Sequence, residues 1–153
     1  MQKSNFKKTR EPKRKIVFKN QEHENRYKIL MSKVDEFYRS SSEIQEMIYL
    51  IALIETECPG VAEEIFDFSW RMIKPDVLEA SWQTEKTKRA LLLAFNLWNG
   101  YQTSLYHIFG HVNWDRYLLE AIYIRYHFTC DFEDNDFWER LMKQVQEKKE
   151  INN

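Results

Sequence analysis

Apolar residues first recur at helical spacing after Asn20. Tyr27, Leu30, Met31, Val34 and Phe37 follow at steps of three and four, which predicts a helix with Asn20 as its N-cap. Ser42-Glu43-Ile44-Gln45 has the S-x-x-Q form of a capping box, so a second helix is expected to start there. Its residues 44–54 are apolar on nearly every side, which implies burial between other elements and a central place in the fold. Cys58, Pro59 and Gly60 break the pattern, and residues 61–65 are expected as one short helical piece.

Further along, Lys74-Pro75 reads as another short helix start, because proline at the first helical position gives up only an N–H that is unpaired there anyway. Thr84 caps a stronger helix over residues 85–98. Ala90, Leu91, Ala94, Leu97 and Trp98 face inward in it, Lys86, Lys88 and Arg89 are able to face water, and Asn99-Gly100 closes it. Residues 104–109 are weakly helical and stop at Gly110. Asn113 is expected to cap residues 114–128, where Asp115 suits the positive helix end and Tyr117, Leu118, Ala121, Ile122 and Ile124 give a wide apolar surface. Asp134 or Asn135 opens a last helix carrying Phe137, Trp138, Leu141, Met142 and Val145. Strand alternation never extends beyond a few residues, and no segment repeats. The expected fold is all-α: a single compact bundle of about five or six helices over residues 16–153, preceded by a flexible basic arm at residues 1–15.

Composition fits that picture: 153 residues suffice for one domain with a real core, and an aromatic share of 15% implies a core rich in rings. Charge changes it. Residues 1–19 carry eight bases against Glu11 alone, a net of +7, while the remaining residues carry 15 bases and 23 acids, a net of −8. A basic arm therefore sits on an acidic body. The longest apolar run falls well short of a bilayer span, and the N-terminus lacks the apolar segment of a secretory signal. The expected location is the cytoplasm, with Cys58 and Cys130 as reduced thiols and no membrane contact.

Familiar catalytic motifs are scarce in the chain. The three isolated glycines exclude the phosphate-cradling loops G-x-G-x-x-G and G-x-x-x-x-G-K, and no nucleophile elbow exists. His107 and His111 are four apart, and His127 with Cys130 adds an H-x-x-C pair, but Ile108 and Gly110 spoil the first as a helical metal pair. The acids Asp131, Glu133, Asp134 and Asp136 fail the calcium-loop template, since Asp136 stands where glycine is required and Met142 where glutamate is. Glu63 and Glu64 are adjacent and point apart on a helix. No metal, cofactor or catalytic residue is expected.

Two features remain as candidate sites. Trp98, Trp114 and Trp138 lie on apolar helix faces, whereas Trp70 and Trp82 lie in less regular sequence and are the candidate protein-interaction rings. Lys7, Lys8, Arg10, Lys13, Arg14 and Lys15 are the candidate contacts to nucleic acid or to an acidic partner.

Phe18, His23, Arg26 and Tyr27, the segment Ala94-Phe95-Asn96-Leu97-Trp98-Asn99-Gly100 and the segment Leu118-Leu119-Glu120-Ala121-Ile122 resemble a family of small uncharacterised helical bacterial proteins. The resemblance covers roughly residues 16–128. It implies an association with phages and mobile elements and brings no catalytic residues. The expected function is that of a non-enzymatic interaction protein whose acidic body binds a partner protein, with the arm adding electrostatic contact. Imitation of nucleic-acid charge by the body is one version. A nucleic-acid-binding accessory protein, or an enzyme with an unfamiliar site drawing on His107, His111 and His127, are the alternatives.

Overall fold

Helix α1, Gln21–Ser32, begins as its sequence requires. The Asn20 side chain accepts a hydrogen bond from the His23 amide at 2.9 Å, satisfying one of the orphan N–H groups of the first turn. The computed structural model describes residues 15–111 and 113–126. Contrary to expectation, α1 does not reach Phe37. Its last turn tightens, with the Lys33 and Val34 amides bonded to Leu30 and Met31, and the Arg39 guanidinium occupies the Ser32 and Val34 carbonyls. The chain then makes a 3₁₀ turn, Glu36–Tyr38, which the Asp35 carboxylate opens by accepting from the Phe37 amide. Phe37 is consequently 81% exposed.

Helix α2, Ser42–Glu55, is the central helix, but its start differs from the expected capping box. The N-cap is Ser41, without a side-chain bond, so Ser42 already lies inside the helix. The Gln45 side chain reaches the Arg39 carbonyl and the Ser42 hydroxyl meets Arg125. Every residue from Met47 to Ile54 is fully buried, and α1, α4 and α6 pack around them. Each large aliphatic side chain so removed from water contributes about 1.5–3 kcal/mol, which makes α2 the chief source of stability.

Past α3, Ala62–Ile65, the chain departs from a purely helical plan. Strands β1, Phe66–Asp67, and β2, Met72–Ile73, pair antiparallel in the register Phe66 to Ile73 and Asp67 to Met72. Two-residue strands leave no alternation to read. A 3₁₀ turn, Pro75–Glu79, stands where the short proline-led helix was expected.

Helix α4, Glu85–Asn99, carries a full capping box, in which Thr84 and Thr87 each bond the other's backbone N–H, and it ends at Gly100 in the left-handed region at φ 74°. Lys88 faces water as expected, but Lys86 and Arg89 are half-buried. Lys86 shares the Glu57 carboxylate with Lys19, and both ammonium groups lie over the buried Trp114 ring. Arg89 pairs with Glu85 and donates to the Phe109 carbonyl at 2.8 Å. Helix α5, Leu105–Ile108, is capped by Ser104, and α6 runs over Asp115–Tyr126. The Asp115 carboxylate accepts from the Gly110 and His111 amides, so it clasps the incoming loop. The described residues thus form a mostly helical fold of six helices and one small hairpin. The expected last helix and the acidic cluster at residues 131–136 lie outside the described residues.

Candidate functional site

The four-residue connection between β1 and β2 carries the most exposed tryptophan among the described residues. Asp67 shapes it by accepting from the Ser69 and Trp70 amides at 2.9 Å, and Arg71 completes it in the left-handed region at φ 52°. A non-glycine residue there costs roughly 1–2 kcal/mol, offset here by a contact of Arg71's own side chain. Its guanidinium lies 3.6 Å from the centre of the Tyr38 ring, and Tyr38 in turn meets Phe37 edge-on at 5.0 Å. Stacking thus ties the hairpin to the turn between α1 and α2.

At the base of the hairpin, Phe66 is fully buried and packs edge-on against Phe68 and Trp98. Lys33 lies over the Phe68 ring and pairs with Glu63, whose carbonyl also accepts from Lys74. The base is anchored and the tip is presented: Trp70 is 76% exposed and Met72 61%. Aromatic residues, methionine and arginine are the types enriched at protein interfaces, and this end of the molecule gathers Phe37, Tyr38, Trp70, Arg71 and Met72.

Of the two tryptophans singled out by sequence, Trp70 is therefore a surface ring, whereas Trp82 is half-buried against the core and donates from Nε1 to Glu64 at 2.7 Å. Lys15 is exposed, and Lys7, Lys8, Arg10, Lys13 and Arg14 lie outside the described residues. His107 bonds the Ser104 hydroxyl at 2.7 Å, and α5 ends at Ile108, so no continuous helical face joins it to His111. Among the described residues no group of three metal-ligating side chains converges. His127 and Cys130 lie outside them. Cys58 is half-buried, and burial with the neighbouring Glu57 charge pushes its thiol pKa up, away from the thiolate a nucleophile needs.

A second polar set lies inside the bundle. His23 and Glu46 are both fully buried, and Glu55 is nearly so. Glu55 accepts from the Ala62 amide at 3.1 Å and faces Arg26. Glu46 has no hydrogen-bond partner for either oxygen, and burial drives its pKa well above the usual carboxylate range despite the Arg125 charge. The half-buried segment leading into α1 packs over His23 and Tyr49. Val17 donates to Glu120 and accepts from the Tyr49 hydroxyl, while the Phe18 ring packs against His23, Tyr27 and Tyr49. Sequence reasoning missed Glu46, although one acid amid the apolar run of α2 was a visible signal.

The model of a family of unknown function, DUF6075, matches residues 13–138. The chain belongs to the DUF6075 family. No curated protein and no solved structure matches it. The DUF6075 match takes in the strap at residues 16–18, the buried polar set and the hairpin, and begins after most of the basic arm. No helix of the described residues is long and apolar enough to cross a membrane.

Proposed function

We propose that this DUF6075 protein is a non-enzymatic interaction protein that binds a partner through the end of its body where the hairpin meets the turn between α1 and α2. Exposure of Phe37, Trp70 and Met72 beside the Arg71–Tyr38 stack carries this reading, because large rings held in place on a rigid base are the usual anchors of protein interfaces. The basic arm, with Lys7, Lys8, Arg10, Lys13, Arg14 and Lys15, adds electrostatic attraction to nucleic acid or to an acidic partner, and such attraction weakens as salt rises. A role on a phage or mobile element, as implied by the sequence resemblance, belongs to the same proposal.

The test places a photo-crosslinking amino acid at position 70 of the full chain, and at position 88, an exposed site on α4, as a control, in the native host. One partner protein trapped from position 70 alone, with or without nuclease, supports the reading. Equal trapping from position 88, or loss of the product on nuclease treatment, overturns it. When the crosslinking is repeated in a host lysate, deleting residues 2–14 is expected to reduce the yield at low salt and to leave it unchanged at high salt.

A further inference from the structure

The strap before α1 is held by side chains. Among the described residues, no backbone group of Ile16, Val17, Phe18 or Lys19 bonds another backbone group. Instead, Val17 donates to the Glu120 carboxylate at 3.2 Å and accepts from the Tyr49 hydroxyl at 2.8 Å, and the Lys19 amide donates to His23 Nδ1 at 3.0 Å. The Phe18 ring sits among His23, Tyr27 and Tyr49, and the Lys19 ammonium pairs with Glu57 at 3.3 Å. Helix α1 does not depend on these contacts, because its first turn is capped separately by Asn20. Three of the anchors respond to protons in the same direction. Nδ1 accepts only while the imidazole is neutral, and Glu120 and Glu57 hold their donors most strongly as carboxylates. Acid therefore weakens all three, while the backbone hydrogen bonds of the helices carry no titrating group.

We propose that the strap is an acid-released latch: protonation of His23 detaches residues 16–19 and opens the ring-lined seat beneath Phe18 while the helices stay folded. Every packed element contributes charge around this seat. Lys19 lies on the strap itself, Arg26 on α1 pairs with Glu22 and Glu55, Glu57 follows α2, Lys86 on α4 shares the Glu57 carboxylate, and Glu120 lies on α6. With the strap closed, burial and the Lys19 charge hold the His23 pKa down at about 4, against the bond to Tyr49. With the strap gone, water reaches the ring and its ordinary value of 6.5 returns. Protons thus favour the open form over the closed one. The release midpoint falls between these two values, nearer to 6.5 the more weakly the remaining anchors hold the strap.

The test places 4-fluorophenylalanine at position 18 of the full chain, or at the buried Phe95 as a core control, and follows each by fluorine NMR as the pH is lowered. Position 18 is expected to reach the chemical shift it has in urea, with a midpoint between pH 6.5 and about 4. Position 95 and the far-ultraviolet circular dichroism are expected to be unchanged at that midpoint. Tyr49→Phe removes an anchor that does not titrate in this range, so the strap is held less tightly and the midpoint is expected to rise by about half to one pH unit. His23→Gln cannot titrate, and its midpoint is expected to fall by at least about one unit. Should loss of the Nδ1 acceptor free the strap of His23→Gln at neutral pH, the rise or constancy of the Tyr49→Phe midpoint decides. Positions 18 and 95 moving together overturn the proposal, since release is then unfolding. So does an unchanged midpoint in either variant.

Discussion

The imidazole of His23 bridges the strap to the central helix by bonding the Tyr49 carbonyl at 2.9 Å from Nε2. The Lys19 amide donates to Nδ1 at 3.0 Å, so that nitrogen must be the acceptor and the single ring proton sits on Nε2. A second proton would break the Lys19 bond and place a charge in the core. Desolvation accordingly lowers the His23 pKa from 6.5 to about 4, aided by the Lys19 charge and opposed by the bond to Tyr49.

Acid lability follows with a defined sign. The unfolded chain binds a proton on His23 below its ordinary pKa and the folded chain does not. The stabilisation is therefore complete above pH 6.5 and is lost as pH falls toward about 4. The size of the pKa gap corresponds to about 3 kcal/mol. Urea unfolding from pH 7 to pH 4 is expected to show this loss for the native chain, and a much flatter difference for His23→Gln, which cannot titrate. Parallel pH profiles for the two chains would show that His23 titrates in the fold as it does in the unfolded chain.

Glu46 gives the opposite dependence. Burial raises the pKa of its carboxyl well above the ordinary value, with Arg125 opposing the effect and Glu43 adding to it. The unfolded chain ionises first as pH rises, so Glu46 costs stability increasingly above the ordinary carboxylate value. Glu46→Leu also removes two buried oxygens that lack hydrogen-bond partners, each kind of loss being worth about 1–3 kcal/mol when left unsatisfied. The variant is expected to unfold at higher urea than the native chain, with a gap wider at pH 8 than at pH 5. Destabilisation at both values would mean that Arg125 compensates the charge fully.

The features legible in sequence are those whose physics is local. Asn20, Thr84 and Gly100 act on N–H and C=O groups within a turn of themselves, and each sits where the sequence places it. The apolar run of α2 likewise admits only burial. Ser42 misleads because Ser41 precedes it and the turn ahead of it decides which serine is the cap. Phe37 keeps the helical spacing of α1, yet Arg39 and Asp35 end that helix with contacts that spacing does not encode. The exposed aromatic end was half legible: Trp70 stands out by its irregular surroundings, but Phe37 and Tyr38 come from a segment about thirty residues away in the chain, tied to the hairpin by the Arg71 stack and by Lys33 over Phe68.

Gly100 isolates one of these local effects. A Cβ added there meets nothing within 4 Å, so Gly100→Ala carries no steric clash with neighbours and only the cost of holding alanine at φ 74°. That cost is about 1–2 kcal/mol. Thermal unfolding is expected to show a loss in this range, similar to the loss of about 1 kcal/mol for the cap variant Thr84→Ala. A loss well beyond it would reveal that the left-handed turn is set by the segment after Gly100, not by the glycine.

Phe66 and Trp70 stand four residues apart on one hairpin and make opposite predictions. Phe66 is fully enclosed by Phe68, Trp98 and the core, so Phe66→Ala leaves a cavity and is expected to cost about 3–5 kcal/mol. Trp70 is largely in water, and its backbone amide, rather than its ring, is what Asp67 holds. Trp70→Ala should alter stability by no more than about 0.5 kcal/mol. Urea unfolding of the two variants reads this contrast directly. A comparable loss from Trp70→Ala would make its ring a structural prop for the hairpin, and reduced partner binding by that variant would then reflect unfolding. With stability retained, the same reduction reports the ring as an anchor, because the Arg71–Tyr38 stack and the buried base hold the tip in place without it.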